Sequence, residues 1–165
     1  MFIRIIILIA PIILFSCSKN EINYKPKPRV DPYSIYEQAY QAFEEGDYFY
    51  AQKKFSEAEL NFDIVEYAAK SSIMASYCFY GINQYTKALE STNRFLNKYP
   101  ADKNVIYAHY LIAIINFEQI SDEKKDSDPI LKAKKKIDFF LEKYPNNDYA
   151  IDLQFKKELI TNQLA

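Results

Sequence analysis

One hexapeptide occurs twice in this chain, as FLNKYP at Phe95 to Pro100 and FLEKYP at Phe140 to Pro145, identical at five of six positions. An alanine stands twelve residues before each proline, Ala88 and Ala133, and the same interval joins Ala51 to Asp63, where the proline is missing. Counted from these alanines, positions −3, 0, +4 and +7 read Tyr48, Ala51, Phe55 and Ala58, then Tyr85, Ala88, Thr92 and Phe95, then Ile130, Ala133, Ile137 and Phe140. That spacing puts four residues on one helix face. A small alanine lets a partner helix approach while larger neighbours fill the space around it, and proline ends the helix because it has no N–H for the hydrogen-bond ladder.

Such a helix is the second half of a helix-turn-helix unit. The arrangement resembles the tetratricopeptide repeat, whose second helix carries an A-x3-F…P pattern on a period of about 34 residues. Here the alanines lie 37 and 45 residues apart. Part of the excess sits between Pro100 and Tyr107, and the rest in the acidic stretch Ser121 to Pro129. Two glycines and sustained helical spacing argue against a sheet protein. The expected fold is all-α: a tetratricopeptide-like superhelix of antiparallel helix pairs over residues 32–165, with three repeats and one further helix. The pairs are expected at Pro32 to Glu45 with Tyr48 to Asn61, Val65 to Phe79 with Tyr85 to Lys98, and Val105 to Ile120 with Ile130 to Lys143. The further helix is expected at Tyr149 to Leu164, and its Ile151, Leu153, Phe155, Leu159, Ile160 and Leu164 leave no obvious polar outer face. That implies partner repeats, supplied by another chain or lost by truncation.

The first 16 residues read as a signal peptide. Arg4 supplies the positive start and Ile5 to Phe15 an apolar run of eleven residues, short of the about 20 that a membrane span needs. The run ends in Leu14-Phe15-Ser16-Cys17, which resembles the bacterial lipobox. The resemblance implies that the Cys17 thiol receives diacylglycerol and that cleavage occurs before it; the alternative is ordinary signal cleavage beside an incidental cysteine. Residues 17–31 carry Pro26 and Pro28 and read as an extended tether. Ser18, where an aspartate is absent, resembles lipoproteins sorted to the outer membrane.

In a tetratricopeptide stack the first helix of each repeat lines a groove. Twelve residues before the anchoring alanines stand Ala39 and Ser76, small enough for close helix contact. The groove-facing offsets hold Tyr36, Tyr40 and Phe43, then Ile73, Tyr77 and Tyr80. Five of these six are aromatic, which suits an extended peptide because rings give contact area at little entropic cost. The competing reading is that they simply pack between helices.

Catalytic patterns are hard to find. His109 is the sole histidine, with no second His or Cys at metal-ligand spacing, and Cys78 is left without an intramolecular partner if Cys17 is lipidated. The acids Asp122, Glu123, Asp126 and Asp128 lack the glycine and terminal glutamate of a calcium loop. No phosphate loop or nucleophile elbow occurs, so neither an enzyme nor a cofactor is expected. With 21 basic and 22 acidic residues and no strongly basic segment, nucleic acid is not an expected partner. The runs Lys124-Lys125 and Lys134 to Lys136 read as solvated helix faces.

Taken together, the lipobox, the proline-bearing tether and the repeats resemble the BamD family, the tetratricopeptide lipoproteins of the outer-membrane β-barrel assembly machinery. The likeness is carried by Tyr33 to Phe55, Tyr85 to Pro100, YAHYLIAIINFEQISD at Tyr107 to Asp122, and FLEKYPNNDYAIDL at Phe140 to Leu153. It implies a periplasm-facing, lipid-anchored scaffold that binds the barrel protein BamA and other lipoproteins of the machinery, and receives unfolded outer-membrane proteins. The family usually has more repeats than are found here, which leaves the BamA contact open. A second reading is a periplasmic repeat lipoprotein that coordinates cell-wall or division proteins.

Overall fold

A computed structural model describes residues 31–120 and 128–164. Among them the regular structure is helical: α1 (Pro32–Glu44), α2 (Tyr48–Asn61), α3 (Val65–Gly81), α4 (Tyr85–Lys98), α5 (Val105–Glu118), α6 (Asp128–Lys143) and α7 (Tyr149–Leu164). These are the seven expected helices, with ends moved by at most two residues.

The helix ends have local causes. Asp31 accepts the Tyr33 N–H at 3.1 Å ahead of Pro32, and Asp47 accepts the Tyr50 N–H at 3.0 Å, so α1 and α2 both start on capped backbone. Helices α4 and α6 stop two residues before Pro100 and Pro145. Helix α2 stops equally far before Asp63 without a proline. There Phe62 leaves the helix in an extended conformation and packs against the rings of Tyr33 and Tyr67, at 5.1 and 5.3 Å.

Each helix packs on its predecessor and successor, and α3 also meets α5 as α5 meets α7. Contact between the first helices of successive pairs is what a stack of helix pairs requires. The repeated face lies at the centre of it. Ala51, Phe55, Ala58, Ala88, Thr92, Phe95, Ala133, Ile137 and Phe140 are all fully buried. Ala39 and Ser76 are buried too, and the Ser76 hydroxyl meets that of Ser91 at 2.8 Å across the α3–α4 contact. Helix α5 is apolar on nearly every side and runs through the middle of the stack.

The duplicated Lys-Tyr pair also has a common role. Lys98 lies 5.1 Å from the Tyr99 ring centroid and Lys143 lies 5.3 Å from that of Tyr144, so each copy ends on a cation over its own ring.

Gly81 is one of the two glycines in the chain. It ends α3, and the left-handed residue of the turn is Asn83, at φ 57°. The glycine is there for space, since a Cβ on it would stand 2.6 Å from Cδ2 of the Tyr48 ring. That ring is held in turn by Phe43 and Tyr77. Gly81→Ala should therefore destabilise the protein by about 1–3 kcal/mol in urea unfolding, despite the better helix propensity of alanine. An unchanged unfolding midpoint would show that the Tyr48 ring moves freely.

Candidate functional site

Five of the six groove candidates form a single file of rings. Tyr36 and Tyr40 lie 6.4 Å apart, Tyr40 and Phe43 6.4 Å, Phe43 and Tyr77 5.6 Å, and Tyr77 and Tyr80 6.0 Å. Their i, i+3, i+4 spacing on α1 and α3 sets one helix face beside the next. The file therefore crosses from the first repeat to the second. Tyr40 is 44% exposed and the other four rings are half-buried. Packing between helices and a presented aromatic surface thus coexist in the same residues. Ile73 departs from the pattern: it is only 4% exposed and belongs to the core.

The file continues past the residues that counting identified. Tyr85 lies 6.2 Å from Tyr80 at the start of α4. Tyr107 and Tyr110 on α5 stand within electrostatic reach of Tyr80, and Tyr107 also of Tyr77. Burial foremost, followed by these neighbours at Tyr107 and by the Asp152 carboxylate at Tyr110, pushes both hydroxyls well above the ordinary tyrosine range. Tyr110 stacks on Tyr149 of α7 at 4.4 Å and donates to the Asp152 carboxylate at 3.0 Å, which Lys156 also meets at 3.0 Å. Beyond the file on α1, α3 and the start of α4 there is thus a second tyrosine group on α5 and α7, the half-buried Tyr107 and Tyr110 with Tyr149. The signal for this group lay in the recurrent Tyr-Ala pairs at Tyr67, Tyr107 and Tyr149.

A second feature escaped the sequence reading. Glu59 on α2 is buried, its carboxylate held by Arg94 at 3.0 and 2.8 Å, by Lys98 at 3.0 Å and by the Tyr99 hydroxyl at 3.0 Å. It clamps the first repeat to the second. Burial alone would raise its pKa, but the hydrogen bonds from Arg94, Lys98 and Tyr99 outweigh that and hold it below the usual carboxylate range. Its visible signal is that the same offset in the later repeats holds Leu96 and Leu141.

His109 stacks near Phe139 at 5.1 Å and Tyr144 at 5.9 Å, and burial followed by the charges of Lys143 and Lys136 holds its pKa down. Cys78 is a free, buried thiol pushed up to about 12 by burial, which makes it an inert packing residue. Among the described residues no group of three His, Cys, Asp or Glu side chains could hold a metal ion, and no helix is long and apolar enough to cross a membrane. Of the lysine run on α6, Lys134 pairs with Asp138 at 2.6 Å, whereas Lys135 and Lys136 are exposed. The signal peptide, Cys17, most of the tether and the acidic stretch 121–127 lie outside the described residues.

Residues 28–165 match the family model for YfiO, described as outer membrane lipoprotein. The chain is 32% identical to the outer membrane protein assembly factor BamD of Caulobacter vibrioides, over 79% of this chain and 43% of that protein. It is 29% identical to the BamD of Rickettsia prowazekii over 74% of this chain and 52% of that one. With the BamD of Vibrio cholerae the identity is 23%, over 96% of this chain and 68% of the relative. The chain thus spans about half the length of the first two of these relatives.

Proposed function

Because this chain belongs to the YfiO family of outer membrane lipoproteins, we propose that it works in the assembly of outer-membrane β-barrel proteins, as a lipid-anchored scaffold that holds extended polypeptide against its aromatic file. The observation that carries this reading is the unbroken run of rings from Tyr36 to Tyr85, with a second group, Tyr107, Tyr110 and Tyr149, beyond it. Rings at this spacing take up side chains of an extended segment with little loss of rotamer freedom. The named relatives are assembly factors for outer membrane proteins, which gives the segment a source: a barrel protein not yet folded.

In this reading residues 1–16 are removed, Cys17 carries the lipid, and residues 17–31 tether the repeats of 32–165 to the periplasmic face of the outer membrane. Two acyl chains make such attachment stable without a spanning helix. BamA and the other lipoproteins of the machinery are its partners, and it acts by binding rather than by turnover.

The test is affinity purification from membranes combined with binding of an unfolded barrel protein in vitro. BamA is expected among the retained proteins, and Cys17→Ser is expected to release the chain from the membrane. Tyr40→Ala with Tyr77→Ala should weaken binding of the unfolded barrel protein by roughly tenfold or more while the circular dichroism spectrum stays helical. Retention of cell-wall synthases in place of BamA, or undiminished binding by the double variant, would overturn the proposal.

A further inference from the structure

Helix α5 has a second side. By helical spacing, His109 and Ile112 face away from Tyr107 and Tyr110. On that side α4, α5 and α6 enclose a cavity of ≈ 190 Å³. Leu96 and Ile112 make its floor, the His109 and Phe139 rings, 5.1 Å apart, make one wall, and Lys135 and Lys136 stand at its mouth.

Among the described residues the two lysines are unspent. The nearest acid in sequence, Asp138, is taken by Lys134 at 2.6 Å and Lys157 at 2.7 Å. Lys143 lies over the Phe139 and Tyr144 rings, at 5.4 and 5.3 Å. Lys135 and Lys136 are exposed and have no ion pair among the described residues. Phe139, at 43% exposed, leaves an open aromatic edge beside them. An apolar hollow with a cationic lip is complementary to an apolar group flanked by carboxylates.

We propose that this pocket is a docking site for an acidic segment of a partner protein, which inserts one apolar side chain over Leu96 and Ile112 and sets its carboxylates on Lys135 and Lys136. The volume suits one side chain and falls short of the roughly 300–1,000 Å³ of small-molecule sites. The charge also favours a protein over a lipid surface, because anionic membranes are read by clusters of about four to eight cations. Here two stand at the mouth, while Lys143 is engaged with the Phe139 and Tyr144 rings and Lys132 lies one turn away along α6. Burial first, then the charges of Lys143 and Lys136, lowers the pKa of His109, so the ring stands within reach of the positive charge at the pocket's mouth. Since the pocket and the surface of Tyr107 and Tyr110 lie on different sides of α5, both can be occupied at once.

His109, as the sole histidine, is a built-in reporter. The full chain, labelled with 15N-histidine, would be titrated with the blocked peptide Glu-Phe-Glu, its neutral counterpart Gln-Phe-Gln, and phosphatidylglycerol vesicles. The acidic peptide is expected to shift the His109 ring signals saturably and raise its pKa. The neutral peptide should bind about fivefold more weakly, the worth of two exposed ion pairs. Lys135→Glu with Lys136→Glu should abolish the response to the acidic peptide at unchanged melting temperature. Equal binding of both peptides, a silent His109 at millimolar peptide, or a response to vesicles alone would each overturn the proposal.

Discussion

Arg94→Ala should destabilise the helical stack by about 2–3 kcal/mol in urea unfolding, while Glu59→Leu should change its stability by less than about 1 kcal/mol. The asymmetry follows from where the charges sit. The Glu59 side chain is 1% exposed, whereas Arg94 and Lys98 are nearly half exposed and can return to water if the carboxylate is removed. Removing Arg94 leaves a buried carboxylate with only Lys98 and Tyr99, and that residual charge is expensive in a poorly solvated site. Leucine at this position reproduces Leu96 and Leu141 of the later repeats and leaves only the Tyr99 hydroxyl short of a partner. The pH dependence has a definite sign. Glu59 has a lowered pKa in the folded state, so its contribution is present at neutral pH, begins to fall as pH approaches its ordinary value of 4.5, and is lost through the folded value. The Glu59→Leu variant should therefore lose less stability on acidification than the parent. An equal loss in both would place the acid sensitivity elsewhere, with Asp138, also lowered by its lysines, the next group to replace.

What could be read from the sequence was what depends on neighbours along one helix. Alanines at the close contacts gave the register of α2, α4 and α6, and Phe95 and Phe140 with the prolines after them fixed that of α4 and α6, because the 3.6-residue turn and the proline stop act locally. Counting from those alanines also found Tyr36, Tyr40, Phe43, Tyr77 and Tyr80. It failed at Ile73, since the first helix packs chiefly on α2 and leaves a flank open, while α3 has α2, α4 and α5 around it. The same offset is covered there. Counting also missed Tyr107 and Tyr110, which stand 26 and 23 residues before Ala133 and so fall outside the groove-facing offsets even when the added length of Ser121 to Pro129 is allowed for. Glu59 was illegible for a different reason. Its partners are 35 to 40 residues away, so an acid at an otherwise apolar offset looks like a surface residue until α2 and α4 are packed together.

The register itself makes the sharpest prediction, because it gives two adjacent phenylalanines opposite fates. Phe140→Ala should cost about 3–5 kcal/mol, the range for emptying a fully buried aromatic position. Its ring is completely enclosed, 6.3 Å from Tyr110 and 5.2 Å from Tyr144, so the hole would open between α5 and α6. Phe139→Ala should cost no more than about 1 kcal/mol, since that ring is partly in water and gives up mainly its contacts with His109 and Lys143. Urea unfolding of the two variants side by side measures the difference directly. The same logic holds in the first copy of the hexapeptide, where Phe95 is fully enclosed as Phe140 is, so Phe95→Ala belongs with the costly member of the pair. Equal costs at positions 139 and 140 would mean that α6 does not present one fixed face to the stack. The shared spacing of Ala51, Ala88 and Ala133 would then no longer describe three equivalent helices.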